Sequence, residues 1–339
     1  MPGIKPGIAF RGIPAFTNMK TYSDGNASPN QTVITEFILL GFGNLYELRI
    51  PTFVIFLAVY IVTLTGNTMI TVVVLTDHSL HNPMYFFLGN LSFLEIWYTT
   101  SVVPKMLKTF LTAHEAIFFS ACLFQFYAFG SLAVSECFLL AVMSYDRYIA
   151  ICHPLHYANS MSFRVCLKLA IGSWIGGFLS PVVTILMVSV LPFCASNEID
   201  HFFCDLTPVV KLACGDTQRV RIPAFLIASL VSFSPFLLTV LSYYKIISTI
   251  LKIPSAKSKQ KAFSTCSSHL IVVTVFYGTL MVVYDVPATT WCPNLSKVFS
   301  VLYTVGTPMV NPIIFSLRNK DVQNALRKIL TRNSALSLE

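Results

Sequence analysis

The stretch of sequence that decides the fold is PTFVIFLAVYIVTLTGNTMITVVVL, residues 51–75, which holds no Asp, Glu, Lys or Arg. A helix crosses the apolar core of a bilayer in about 20 residues, so this stretch is long enough to span one. Further apolar windows follow at residues 83–104, 116–145, 169–191, 222–244, 262–284 and 298–317. Their length and internal prolines favour helices over barrel strands, which need only about ten alternating residues. The sequence predicts an all-α membrane protein, a bundle of seven transmembrane helices.

The composition supports this prediction. The chain has 339 residues, of which 55% are hydrophobic and 11% charged, and its mean hydropathy is +0.69. A soluble domain carries about 25% charged residues, and a larger core cannot halve that fraction because the surface grows with size. The composition excludes soluble enzymes, nucleic-acid-binding proteins and disordered interaction proteins, and it makes the lipid bilayer the surrounding medium.

Basic residues predict the orientation. The loop after the fifth window, the C-terminal tail and the three residues Arg147, Arg164 and Lys168 together hold 13 of the 23 basic residues, against 10 on the opposite side. The positive-inside rule then places the C-terminus in the cytoplasm and the N-terminus outside, in a multi-pass protein of the plasma membrane. The predicted organisation is an extracellular segment over 1–50, the helix bundle over 51–317 and a cytoplasmic tail over 318–339. Sequons at Asn26 and Asn30 are candidate glycosylation sites in the extracellular segment.

The tail contains a helical pattern of apolar residues. They recur at positions i, i+3, i+4, i+7 and i+8, beside Lys320, Arg327 and Lys328. This pattern predicts a short amphipathic eighth helix lying on the inner leaflet. The apolar residues of the pattern are Val322, Ala325, Leu326, Ile329 and Leu330.

Five of the nine cysteines fall on the predicted outer side, where the compartment is oxidising. Four of them, Cys122, Cys194, Cys204 and Cys214, allow two disulfides in three possible pairings, and Cys292 is left over. A zinc site with His201 is disfavoured because no close Cys-pair spacing is present, and no other metal site is expected from cysteine or histidine.

Two carboxylates, Glu95 and Glu136, lie at bilayer depth, where an ionised and unpartnered group costs several kcal/mol. Three interpretations remain open: the two are protonated, hydrogen-bonded acids of the core, or they share a cation, or they relay protons. Arg147, in the Asp146-Arg147-Tyr148 triplet, lies 11 residues beyond Glu136 and shares its helical face, so it points into the bundle. Alternatively, this charged pair is a snorkelling anchor at the helix end.

Several motifs together resemble the odorant-receptor branch of the rhodopsin-like G-protein-coupled receptors, in its tetrapod-type class. They are LHNPMY at 80–85, MSYDRYIAICHPL at 143–155, SY at 242–243, KAFSTCSSH at 261–269 and PMVNPIIFSLRN at 308–319. The resemblance covers residues 26 to 330 and keeps the family's order and spacing.

The resemblance implies a role for each matched position. Arg147 would meet the C-terminal helix of a stimulatory G protein, with Asp146 restraining it at rest, and the response would be a rise in cyclic AMP. Glu95 and Glu136 would form a sodium site, the single cofactor that the resemblance suggests. Cys122 would pair with Cys204, and Cys194 with Cys214. The other residues implied in coupling and switching are Tyr148, Tyr243, Asn311, Pro312 and Phe315.

Two residues depart from the family pattern. Glu95 stands where the family usually has Asp, so the selectivity of the cation site is in question. Phe315 stands where the family usually has Tyr, and the missing hydroxyl predicts low basal activity.

The third, fifth, sixth and seventh windows are expected to enclose a cavity in their outer halves, closed by the loop after Cys204. The lining residues recur at helical spacing along each window, and such stripes of residues also occur in ordinary helix packing. None of the residues that these windows contribute to the lining is charged, which predicts a small, neutral, mostly apolar volatile ligand. The expected lining residues are Phe126, Phe129, Gly130, Ala133, Val134, Leu206, Ile227, Val231, Tyr277, Leu280, Met281, Tyr284, Val301 and Thr304.

Three other functions remain as alternatives. A proton- or ion-coupled transporter fits the two buried carboxylates, although no inverted repeat is found. A receptor for an amine or peptide is disfavoured because Phe129 supplies no counter-charge. An intramembrane enzyme would need a catalytic dyad or a third ligand beside His153 and His156, and the sequence shows neither.

Overall fold

Helices form at all seven apolar windows in the computed structural model, which describes residues 34–43, 48–112, 114–194, 196–284, 293–319 and 321–328. The helices are α1 Arg49–Thr76, α2 Pro83–Thr112, α3 Phe119–Cys152, α4 Tyr157–Ser160, α5 Phe163–Leu179, α6 Val182–Ser189, α7 Leu206–Val210, α8 Gln218–Leu251, α9 Ala256–Tyr284, α10 Pro293–Val301, α11 Thr307–Arg318 and α12, residues 321–328. The fourth window is divided between α5 and α6, and the seventh between α10 and α11.

Local sequence explains both divisions. Ser180 and Pro181 separate the last residue of α5 from the first of α6, and a proline inside a helix removes one backbone donor and displaces the chain. In the seventh window, residues Leu302–Gly306 are π-helical, so that turn holds more residues than an α-helical turn. Sequence analysis predicted one continuous α-helix at each of these windows.

The surface of the bundle is apolar over most of its helices. Within the described residues, six helical segments are long and apolar enough to cross a membrane. The remaining long helix, α2, has 30 residues and carries buried polar groups, among them Ser92, Glu95 and Thr99. Large apolar side chains are exposed on the outside, such as Ile55 and Leu230, and such a surface is stable only against lipid.

A small sheet, which sequence analysis did not predict, covers one end of the bundle. Strand β1, Glu36–Leu39, pairs antiparallel with β2, Glu115–Phe118, and parallel with β3, Glu198–Ile199. Phe37 and Leu39 of β1 are fully buried in the cluster that also contains Cys122 and Cys204. We call this end of the molecule the disulfide end, and the opposite end the Asp146 end.

The tail helix α12 packs against the bundle. Val322 and Ala325 are buried in the main core, and Leu326 is half-buried against it. Tyr85 of α2 donates hydrogen bonds to the side chains of Asn319 and Asp321 at 2.9 and 3.0 Å. The apolar face predicted to lie on lipid therefore serves largely as a packing surface, because the bundle itself offers an apolar partner at this end.

Candidate functional site

A cavity of about 360 Å³ lies in the half of the bundle nearest the disulfide end. Its walls come from α3, from α5 and α6, from α7 with the preceding loop, and from α8. Nine of the fourteen predicted ligand residues line it: Phe126, Phe129, Gly130, Ala133, Val134, Leu206, Ile227, Val231 and Leu280.

The remaining predicted residues lie elsewhere. Tyr277 is buried and donates a hydrogen bond to the backbone oxygen of Cys137 at 3.1 Å, so its hydroxyl is used in packing α9 against α3. Met281, Val301 and Thr304 are not among the residues that line the cavity. The side chain of Tyr284 falls outside the described part of the chain.

In the seventh window, the cavity is lined by Tyr303 in place of Val301 or Thr304. The π-helical turn over Leu302–Gly306 is the physical reason, since it rotates the side chains relative to the α-helical spacing used in the prediction. The hydroxyl of Thr304 donates to the backbone oxygen of Ser300 at 2.8 Å and is thereby turned back on its own helix.

The fourth window supplies a wall that sequence analysis assigned to the sixth and seventh. Ser180, Pro181 and Thr184 line the cavity at the break between α5 and α6. The visible signal for this wall was Pro181 itself, which interrupts the window and leaves space beside it. Among the described side chains of the sixth window, only Leu280 lines the cavity.

The expectation of an uncharged lining needs correction at the rim, where Asp205 and Arg221 both line the cavity. Asp205 is buried and caps α7, its carboxylate accepting from the backbone N–H of Leu206 at 2.8 Å. Arg221 lies in the first turn of α8 and is exposed. Sequence analysis considered charges within the windows, and these two residues lie just outside them.

The loop over the cavity is fastened by two disulfides with the pairing that the resemblance implied. Cys122 is bonded to Cys204 with a Cα–Cα distance of 5.5 Å, and Cys194 to Cys214 with 5.8 Å. Gln125 of α3 holds the loop beside the Cys122–Cys204 disulfide as well, because its side-chain oxygen accepts a hydrogen bond from the backbone N–H of Cys204 at 3.0 Å.

An ion pair between a buried lysine and an exposed aspartate joins three segments at the disulfide end. Lys297 of α10 contacts Asp200 at 2.5 Å and donates to the backbone oxygen of Gly41 at 2.8 Å. His201 is buried beside this pair, and burial, with the charge of Lys297, lowers its pKa to about 3. The imidazole therefore stays neutral at physiological pH and adds no second positive charge there.

Glu95 and Glu136 are both fully buried near the middle of the bundle. Asn311 of α11 donates a hydrogen bond to one oxygen of Glu95. Among the described residues, the other oxygen of Glu95 and both oxygens of Glu136 have no hydrogen-bond partner, and neither do the side-chain oxygens of Asn67 and Asn311. These five oxygens need a proton, water or a cation.

At the Asp146 end, Arg147 lies 3.2 Å from Asp146 in an ion pair, and Tyr157 donates to the same carboxylate at 2.8 Å. Tyr243 of α8 shares a buried hydrogen bond of 2.7 Å with His269 of α9. These contacts tie α3 to the short helix α4, and α8 to α9.

The other predicted switch residues have separate surroundings. The hydroxyl of Tyr148 lies 3.1 Å from the ring nitrogen Nε2 of His153. Pro312 of α11 lies against Gly66 of α1, and Phe315 is buried in the main core. Asn26 and Asn30, the candidate glycosylation sites, lie outside the described residues.

The fold is similar to that of squid rhodopsin, whose crystal structure superposes with a TM-score of 0.62 at 18% identity over 83% of this chain and 85% of that one. This likeness shows that the bundle has the rhodopsin-like fold. The family model described as olfactory receptor matches residues 56–333, and the chain belongs to that family, so it is a G-protein-coupled signalling receptor and not an enzyme.

Curated relatives agree with this assignment. Human olfactory receptor 10R2 is 48% identical over 309 residues, which cover 91% of this chain and 92% of that protein. Human olfactory receptor 10A5 is 50% identical over 308 residues, covering 91% of this chain and 97% of that protein. Odorant ligands and coupling to a G protein follow from the family.

Replacing Gly130 with leucine is expected to weaken the ligand response at unchanged surface level. A Cβ at Gly130 would lie 3.8 Å from Pro181, an ordinary contact, so the larger side chain fits without moving either helix and occupies the cavity. We expect Gly130→Ala to keep most of the response and Gly130→Leu to raise the half-maximal ligand concentration at least about tenfold, equal to about 1.4 kcal/mol. Dose–response curves with surface staining measure both. Equal curves for the two variants would contradict a ligand in this cavity.

Proposed function

We propose that this chain is an odorant receptor that binds a small, neutral, mostly apolar volatile in the cavity beneath the disulfide-fastened loop and activates a stimulatory G protein, raising cyclic AMP. The observation that carries the proposal is the cavity of about 360 Å³ with predominantly apolar walls in the membrane-spanning bundle.

The lining supports this class of ligand. Along α3, Phe126, Phe129 and Ala133 offer aromatic and aliphatic surface, and burial there contributes about 25 cal/mol for each Å² removed from water. The hydroxyl of Ser229 on α8 also lines the cavity, and the hydroxyl oxygen of Ser232, which donates its proton to the backbone oxygen of Ala228 at 2.8 Å, can still accept a hydrogen bond. The charges of Asp205 and Arg221 are opposite in sign and lie at the rim, so the deeper wall favours an uncharged molecule.

The proposed switch is the ion pair of Asp146 and Arg147, whose charged groups lie 3.2 Å apart. The hydroxyl of Tyr157 also donates a hydrogen bond to the Asp146 carboxylate. A ligand shifts the equilibrium only if it binds the active arrangement of the helices more tightly than the resting one. When α9 moves away from α3 in that arrangement, Arg147 is released to meet the G protein. In the proposed orientation the Asp146 end faces the cytoplasm of a plasma-membrane protein, which agrees with the basic residues at this end.

The decisive experiment is a cyclic AMP reporter in cells that express this chain and a stimulatory G protein, screened with neutral volatiles. We expect Arg147→Ala to abolish the response to an active volatile. Arg164→Ala is the matched control, because Arg164 is exposed at the start of α5 at the same end and is expected to keep the response.

Both variants must be compared at equal surface level. A full response from Arg147→Ala would overturn the proposed switch and return attention to the transporter alternative. A response that needs another class of G protein would overturn the stimulatory coupling while leaving the receptor function intact.

We also propose that a sodium ion binds between Glu95 and Glu136. Oxygen ligands suit hard cations, and the buried oxygens of these residues and of Asn67 and Asn311 that lack partners among the described residues form such a set. One cation would neutralise part of the charge that two buried carboxylates otherwise carry. The glutamate at position 95 reaches further than an aspartate, so the site is expected to accept sodium with altered selectivity.

Sodium is expected to raise the melting temperature of the purified receptor above its value in choline chloride by a few degrees, corresponding to about 1–2 kcal/mol. Glu136→Gln should remove this difference. Glu115→Gln, which changes a carboxylate at the disulfide end, should keep it. A sodium effect that survives Glu136→Gln would contradict the site.

A further inference from the structure

Part of the cavity wall that α8 forms is exposed at the surface of the molecule. Two lining residues on α8 are exposed, Phe225 with 54% of its area and Ala228. Pro181, which is half-buried, and Thr184, which is buried, also line the cavity, at the break between α5 and α6. An opening between α6 and α8 would therefore connect the cavity with the outside of the bundle.

This opening faces lipid. On the same helix, Leu226, Leu230 and Phe233 expose 60%, 70% and 58% of their areas, and α8 is one of the segments long and apolar enough to span a membrane. An exposed apolar face on a spanning helix is stable only in contact with lipid chains. The opening lies in the half of the bundle nearest the disulfide end, so it meets the bilayer leaflet on that side.

On the sides of the cavity that do not face lipid, more of the surrounding residues are buried. Above the cavity, Val209 and Val210 of α7 are buried, and the loop before them is held by the Cys122–Cys204 disulfide and by Gln125. Over that loop lies the sheet, with Phe37 buried beneath it. Toward α9 and the seventh window, the walls end on the buried side chains of Leu280 and Tyr303.

The edges of the opening differ in polarity. Thr207 and Arg221, both exposed, line the cavity near the start of α7 and of α8. Further along α8, Ala228, Ser229 and Ser232 are small residues of the lining, whereas Leu226, Leu230 and Phe233 on the same helix are large and are not among the lining residues. An amphiphilic edge of this kind suits a molecule with an apolar body and one polar group.

We propose that the ligand enters this cavity laterally from the bilayer, through a portal between α6 and α8. The side chain of Phe225 partly blocks this portal, and the small residue Ala228 borders it. The proposal rests on the proposed function, because it takes the cavity to be the ligand site. It adds the route and a property of the ligand: the molecule must dissolve in lipid before it binds. Response then follows the concentration in the membrane, which for an apolar volatile is far above that in water.

A native thiol makes the portal measurable without a known odorant. Cys137 lines the cavity, is not disulfide-bonded and is buried. The full chain in lipid nanodiscs is treated with methyl methanethiosulfonate, which is small, neutral and lipid-soluble, or with its charged trimethylammonium-ethyl counterpart. Mass spectrometry then follows modification of Cys137, and a Cys137→Ser protein sets the background from other cysteines.

We expect the neutral reagent to modify Cys137 at least tenfold faster than the charged one. Ala228→Trp should slow the neutral reagent at least tenfold by filling the portal, and Phe225→Ala should accelerate it by removing the side chain that partly blocks the portal. Leu230→Trp is the matched control, because this lipid-facing residue does not line the cavity and its replacement should leave the rate unchanged.

Any of four results would overturn the proposed portal. The first is equal modification rates for the charged and the neutral reagent, and the second is a rate that Ala228→Trp does not change. The third is a rate that is slowed by Thr207→Trp at the water-facing edge and not by Ala228→Trp. The fourth is absence of modification in the unsubstituted protein, since the cavity would then be closed to lipid. The labelling requires no G protein, so a failed Arg147→Ala experiment would leave it standing and the two proposals are separable.

Discussion

Gly177→Leu is expected to abolish delivery of the folded receptor to the cell surface, whereas Gly172→Leu on the same helix is expected to leave it unchanged. A Cβ at Gly177 would lie 2.7 Å from the backbone oxygen of Ser131 and 2.8 Å from the backbone nitrogen of Ser135. Both atoms belong to the backbone of α3, which no side-chain rotation relieves. At Gly172 no atom beyond its own turn of helix, in the part of the chain that the structure describes, lies within 4 Å of the added carbon, and the residue is exposed.

The close approach of α5 to α3 at Gly177 explains the size of the effect. Small residues let two spanning helices approach until their backbones touch, and dispersion contacts along the whole interface depend on that distance. Overpacking in cores costs about 1–3 kcal/mol and more when backbone must move, which is a large part of the 5–15 kcal/mol that stabilises a typical protein. Surface staining and thermal unfolding measure both variants. Similar surface levels for Gly177→Leu and Gly172→Leu would contradict the packing described.

Loss of the Cys122–Cys204 disulfide is expected to have the second large effect. Cys122→Ser or Cys204→Ser should lower the free energy of unfolding by about 2–5 kcal/mol and remove the ligand response. The bridge joins the first turns of α3 to the loop over the cavity, across 82 residues of sequence. Without it, the loop loses the fixed point from which α7 covers the ligand site.

The bonded pair can be identified by combining substitutions. The double variant Cys122→Ser, Cys204→Ser should be no less stable than either single variant, because one bond is lost in all three. Cys152→Ser at the Asp146 end is the control, since that thiol is free and a hydroxyl can take its place beside Thr249. Additive losses in the double variant would contradict the pairing.

Much of the fold follows from local sequence. The window at 51–75 corresponds to α1, Arg49–Thr76, because apolar length is a property of a continuous stretch and requires no partner. The membrane-spanning class and the family motifs were predictable for the same reason. On α3, Phe126, Phe129 and Ala133 were identified as cavity residues, because the regular spacing of one unbroken helix fixes which side chains share a face.

Other parts of the fold required distant segments to meet. Strand β1 has four residues and pairs with β3, which lies far along the chain, through backbone hydrogen bonds that leave no periodic pattern in either segment. The burial of Val322 and Ala325 depends likewise on the bundle that α12 meets. An amphipathic helix has the same sequence pattern whether its apolar face meets lipid or protein.

The sequence by itself therefore determined the number and approximate position of the spans, the family and the face that α3 turns inward, since these depend on residues within one continuous segment. The tertiary structure decided which other helices surround the cavity. The break at Pro181 opened a wall in the fourth window, and the π-helical turn at Leu302–Gly306 turned Tyr303 inward in place of Thr304. Both depend on the rotation and separation of packed helices, which arise from contacts between segments and not from the spacing within any one of them.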